Sequence, residues 1–262
     1  LAYKYDRDGH AIIEESHSSK LVVFFPTERD TFLKFKINGP YRTTPTRENV
    51  PKNSDNLSIL KQTVEFYKKS LAVIKGIGLM TPQFINILPM RMFSFGQYAG
   101  NDEFYCSFYN ATIEFFKENK ALPTEDGDFE SADNVLLARG PMTDLTNEED
   151  NQILFGKKKW LSVEITRDKT PDVVDFLIKQ LSVREVDFES LLTNVNSTFL
   201  DNKSQDWFKL FYNRGNNNVT TVKKYLTKTF IKDSYACIKE RGVERAIEKV
   251  YKNLRKITNN FK

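Results

Sequence analysis

Up to residue 37 the apolar positions come in short runs and alternations. Ala11-Ile12-Ile13 follows the Asp8-Gly9 turn signal, and Leu21-Val22-Val23-Phe24-Phe25 is a buried-strand run stopped by Pro26. From Thr31 to Ile37 the pattern alternates, with Phe35 and Ile37 on one face and Lys34 and Lys36 on the other. β structure is expected here, with a turn over Pro26 to Asp30. The spacing then changes. Leu57, Leu60, Val64, Tyr67, Leu71 and Ile74 recur at steps of three and four, the signature of one side of a long helix. Ser54 or Asp55 is the expected cap, and Gly76 or Gly78 the expected end.

Further along, Thr81-Pro82 reads as the start of a short helix through Leu88, and residues 103–119 as a helix rich in aromatics. Two short strands around a Glu125-Asp126-Gly127 turn are expected next. Val135 to Ala138 is apolar, Leu145 to Phe155 is weakly helical, and Trp160 to Ile165 reads as a strand or short linker. Thr170-Pro171-Asp172 is a strong helix start, with Val173, Val174, Leu177, Ile178 and Leu181 on its buried face. Asp187 caps a helix carrying Leu191, Leu192, Val195 and Phe199. Helices around Trp207 and after Thr220 close the chain. The pattern as a whole predicts an α/β fold: a mixed sheet with a long packed helix, followed by a smaller, mostly helical α+β part. The expected divisions are 1–102, 103–212 and a basic helical segment over 213–262, with a compositional shift near residue 120.

Composition narrows the function classes only a little. Of 262 residues, 40% are apolar and 28% charged, enough for real cores. No apolar run approaches the length of a membrane span, so no membrane role is expected. The net charge of +4 is uneven. Residues 101–150 are acidic and the chain from Thr220 onward is basic, which leaves nucleic acid open as a partner beside the plainer reading of solvated faces. Two distant cysteines, Cys106 and Cys237, form neither a disulfide framework nor a metal spacing, and suggest a reducing cytoplasm. His10 and His17 have no partners at ligand spacing, so no metal site is expected. Asn110, Asn196 and Asn218 match the glycosylation pattern, read here as chance. The first residues do not begin with Met and are not a signal peptide, so the chain is expected to belong to a longer polypeptide.

One stretch carries more chemistry than folding asks for. Between Ile37 and Pro51 lies a polar loop with Gly39, Pro40, Pro45 and Pro51, and with Arg42 and Arg47. The prolines restrict their own φ and that of the residue before them, while Thr43, Thr44, Thr46 and Asn49 can bond to backbone. A stiff loop places a guanidinium well, and a guanidinium matches the oxygen geometry of a phosphoryl group. The competing structural reading pairs Arg42 and Arg47 with Glu28, Glu48 or other nearby carboxylates.

The order of a strand, a polar loop ending Thr46-Arg47-Glu48-Asn49 and a long amphipathic helix resembles the start of the middle, transducer domain of the heat-shock-90 chaperones. Leu21 to Glu28 together with Gly39 to Pro51 resembles, more narrowly, large bacterial proteins with a sacsin- or No Vein-like, GHKL-type ATPase module. Leu122 to Gly127, and Trp160 to Thr166 followed by Thr170-Pro171, look like the same group, so the resemblance spans roughly residues 20–212. It implies a ribosomal S5-like transducer fold and a catalytic loop. In that loop Arg47 would reach the terminal phosphate of ATP, with Arg42 and Thr46 supporting it at the nucleotide. It also implies that ATP and magnesium are held by an upstream ATPase domain, because the chain has no matching nucleotide pocket; Gly76-Ile77-Gly78 reads as a helix end. On this reading the chain alone holds no cofactor and hydrolyses nothing. Its partners are the upstream domain and a client protein, with a homo-oligomer left open. The rival reading is a nucleic-acid-associated module of a defence or DNA-processing system, using the basic C-terminal helices. A scaffold without nucleotide is the third.

Two further groupings have plainer readings. Glu164 and Asp168 flank Arg167 and read as a salt-bridged helix start. Aromatics interleaved with lysines from Trp207 to Tyr225 could stack on bases, but their helical spacing reads as core.

Overall fold

The computed structural model describes residues 4–5, 11–12, 15–16, 19–92 and 102–211, except 141, 158, 202, 205, 208 and 209, with isolated positions 252 and 255. The readings of His10, His17, Cys237 and the basic segment 213–262 therefore fall outside the described residues, as do those of Asn218 and the aromatics from Tyr212 to Tyr225. The architecture is α/β, with several helices and with strands spread over small sheets. Two compact units form. The first runs to Asp133 and takes in Ser162–Val183; the second holds Asn134–Leu161 and the described residues from Arg184 onward.

The first unit begins with β1 (Lys4–Tyr5) and β2 (Ala11–Ile12), paired antiparallel. A second hairpin follows, β3 (Lys20–Val23) and β4 (Phe25–Asp30). The turn expected over Pro26 to Asp30 is a strand instead. The chain reverses at Phe24, whose φ is 60°, and Val22 faces Pro26 directly. Proline is tolerated there because the strand needs no donor from it at that position. Thr27 fastens the hairpin by donating to the Leu21 carbonyl at 2.8 Å. The strand expected from Thr31 to Ile37 is irregular. Phe32 takes φ 57°, and the Thr31 N–H and hydroxyl both turn to the Ser19 carbonyl. Leu33 and Ile37 are still buried, and the segment rejoins β3 through a parallel bridge between Val22 and Asn38.

Helix α1 (Ser54–Gly76) is capped by Asn53, whose side chain accepts the Asn56 N–H at 2.9 Å, rather than by Ser54 or Asp55. It stops where Gly78 turns left-handed at φ 77° and Leu79 N–H closes on Ile74 O at 3.0 Å. The short α2 (Pro82–Ile85) has the expected Thr81 cap. The aromatic face of α3 (Glu103–Glu118) packs along α1, so residues on both sides of the expected break at 102 share one unit. Tyr67 lies edge-on to Phe108 at 5.2 Å and face-on to Phe35 at 5.7 Å, and its hydroxyl bonds that of Thr112 at 2.7 Å. The strands β5 (Leu122–Pro123) and β6 (Phe129–Glu130) flank the Gly127 turn, as expected.

The second unit is built on a three-stranded parallel sheet. Its centre is β7 (Val135–Ala138), flanked by β8 (Lys159–Trp160) and β9 (Arg184–Val186). The sheet packs under α4 (Glu148–Phe155), α6 (Phe188–Asn194) and α7 (Ser197–Asp201). Between β8 and β9 the chain runs back into the first unit, where α5 (Pro171–Leu181) sets Phe176 against Tyr109 and Phe116. Leu136, Trp160, Val186, Leu191, Phe199 and Phe211 are the heart of the second core. Among the described residues no helix is long and apolar enough to cross a membrane.

Candidate functional site

The loop from Ile37 to Pro51 is held at each end by buried chemistry. Tyr41 is buried, and its hydroxyl donates to Thr63 on α1 at 2.9 Å. Burial pushes the Tyr41 hydroxyl above its ordinary pKa, with the Thr63 bond opposing this in part. Gly39 is needed for that placement: a Cβ there would stand 2.8 Å from the Tyr41 ring. Asn56, in the first turn of α1 and only 5% exposed, holds both sides of the loop. Its Oδ1 accepts the Arg42 N–H at 2.8 Å, and its Nδ2 donates to the carbonyls of Arg42 and Pro51 at 2.9 and 2.8 Å. Sequence reasoning missed Asn56. The available signal was a polar residue four positions before Leu60, on the face that α1 buries.

The two arginines are used differently. The Arg42 side chain is 72% exposed and pairs with Asp55 at 2.8 Å, one of the carboxylate pairings weighed above. Arg47 pairs with no carboxylate; Glu28 is taken by Lys20. The Arg47 backbone is left-handed at φ 59°, a conformation non-glycine residues seldom adopt. Every end of the residue is fixed. Its N–H donates to Thr44 O at 2.9 Å, its carbonyl accepts the Glu28 N–H at 3.1 Å, and Nη2 donates to the carbonyls of Val23 and Phe25 at 2.7 and 3.0 Å. The guanidinium also stands 6.0 Å from the Phe25 ring centre. Nη1 and Nε donate to no acceptor among the described residues, so three of the five N–H groups of this cation are left over. Thr46 is exposed in the turn before Arg47, its hydroxyl 3.4 Å from that of Thr44.

The side chains beside this anchored cation are unexpectedly apolar. Phe24 is 84% exposed and Phe25 70%, adjacent at the hairpin tip whose carbonyls Arg47 holds. The sequence reading placed both in a buried strand.

The other candidate groups have structural uses. Lys169 pairs with Glu164 at 2.9 Å and Arg167 with Asp175 at 3.7 Å, a salt-bridged helix start. Trp207 donates to Leu145 O at 2.7 Å and stacks on Phe211 at 4.7 Å, as core. Acidic residues of 101–150 serve as caps and ion pairs: Asp102 caps α3 and pairs with Arg29, and Asp150 pairs with Lys203. Cys106 is a free, half-buried thiol pushed up by burial. Among the described residues no three His, Cys, Asp or Glu side chains gather as a metal site.

No family model, no curated protein and no solved structure matches this chain.

Proposed function

We propose that the chain presents Arg47 to an anionic group held by another domain, and that the group is the terminal phosphate of ATP in a heat-shock-90-like, GHKL-type ATPase. The observation that carries the reading is the state of Arg47. Nη2 fixes the guanidinium to two carbonyls, while Nη1 and Nε have no protein acceptor among the described residues. A cation already ordered before it meets an oxyanion loses little freedom on binding, and its remaining donors form a planar fork suited to phosphoryl oxygens. Arg42 and Thr46 lie in the same loop as supporting residues. The upstream domain would hold the adenine and the magnesium ion, and ATP would supply the energy for a chaperone-like cycle acting on a client protein in the cytoplasm. This chain's own part is to orient one charge at the nucleotide.

The test is ATP turnover by the full-length polypeptide. Arg47→Ala is expected to lower it roughly 10²-fold, the scale of one lost oxyanion donor. Millimolar guanidinium ion should restore part of the loss, a rescue that a purely structural defect would not show. Turnover unchanged in Arg47→Ala sinks the reading.

A further inference from the structure

The geometry points to the hairpin tip as the apolar half of a docking surface whose charged half is Arg47, with the nucleotide-holding domain as its occupant. This inference rests on the reading of Arg47 given above.

Phe24 and Phe25 are adjacent, large and exposed, at a turn that does not require them. A left-handed position such as Phe24 is better suited to Gly or Asn, so phenylalanine there costs stability on both counts, exposure and backbone. Aromatic residues and arginine are the side chains over-represented at the energetic centres of interfaces. Here they form one rigid unit. Arg47 Nη2 bonds the carbonyls on either side of Phe24, and the guanidinium lies against the Phe25 ring. A surface that seats on the two rings is therefore brought into register with the leftover donors of Arg47.

Charge selects the occupant. The nearest ion pair on the hairpin, Lys20 with Glu28, is self-neutralised, whereas Arg47 has no carboxylate partner. The complementary surface is an apolar recess bordered by an anion. A protein domain with a bound nucleotide phosphate at its rim supplies both.

The experiment uses the full-length polypeptide with a non-hydrolysable ATP analogue. Two variants are compared with the parent: Phe24→Asn with Phe25→Thr, and Arg47→Ala. Asn tolerates the left-handed backbone and Thr suits the strand, so the first variant keeps its urea midpoint. In the parent, the analogue is expected to slow amide exchange at Val23 to Phe25 at least tenfold. In the phenylalanine variant that protection disappears and ATP turnover falls about tenfold. Unchanged turnover and protection in the phenylalanine variant overturns the docking surface, even if Arg47→Ala is inactive. Loss in the phenylalanine variant with full turnover in Arg47→Ala upholds the docking and overturns the phosphoryl role. A full-length protein without turnover overturns both. Protection that appears without nucleotide, on adding anionic phosphatidylserine vesicles or on raising protein concentration, assigns the tip to a membrane or a second copy and overturns the inference.

Discussion

Asn56 and Arg42 close a reciprocal pair of hydrogen bonds, amide to Oδ1 at 2.8 Å and Nδ2 to carbonyl at 2.9 Å. A side-chain amide here imitates a strand partner for one residue of a loop. The third bond, to Pro51 O, ties the far side of the loop to the same side chain.

Asn56→Ala should therefore cost roughly 2–4 kcal/mol, because it orphans an N–H and two carbonyls around a buried position. Urea denaturation measures the loss. Hydrogen exchange should show it concentrated in residues 41–51, with the α1–α3 core protected as before.

Arg47 offers a separation of backbone from side chain. Arg47→Ala loses the clamp on Val23 and Phe25 while keeping the strained φ, at a cost of about 1–2 kcal/mol for a half-exposed charged donor. Arg47→Gly also loses the clamp but relieves the strain, and should be the more stable of the two by about 1 kcal/mol. Equal urea midpoints for the two variants would show that the left-handed backbone stores nothing.

In the second unit, Lys203 places its ammonium 2.5 Å from Asp150 and 4.4 Å from the Phe199 ring centre, with both charged side chains only 10–11% exposed. Lys203→Ala leaves a buried carboxylate without its cation, and should cost about 3–5 kcal/mol in thermal or urea unfolding. Adding Asp150→Asn should recover part of it, since the uncompensated charge is then gone. The recovery is incomplete because Asp150 also closes the capping box of α4.

Asp187 supplies a pH-dependent term. The Ser190 hydroxyl and then the Ser190 N–H hold its carboxyl below the ordinary range. A depressed folded pKa means that the stabilisation is present above the unfolded value and is lost as pH falls through the folded one. Acid titration of unfolding should show this loss in the parent. Asp187→Asn keeps the cap but flattens that part of the profile, and Asp187→Ala removes about 1 kcal/mol at neutral pH.

Helices and their caps were the legible part of the fold. Val173, Val174, Leu177 and Leu181 announced α5, and Thr81 and Asp187 cap where their chemistry says they should. Such signals are local. The strands were less legible because their partners are remote. Arg184-Glu185-Val186 has no run of its own and becomes β9 only beside β7. Phe24 and Phe25 misled because an apolar run reads as buried whether or not anything covers it. In the loop, proline and threonine content announced stiffness, and the structure supplies it. The contrast between Arg42 and Arg47 was not legible, since it depends on Asp55 one turn into a helix and on carbonyls more than twenty positions away.

The parallel sheet has a consequence for dissecting the protein. The chain passes between its two units at Asp133–Asn134, again at Leu161–Ser162 and again at Val183–Arg184. No single cut can release either unit whole. A fragment ending at residue 133 would leave Tyr109 and Phe116 without Phe176, and one beginning at 134 would carry α5 with nothing to pack on. Protease nicks at these passages should yield pieces that stay together until denatured. Any half-molecule swapped into another protein must be spliced at paired points, not at one.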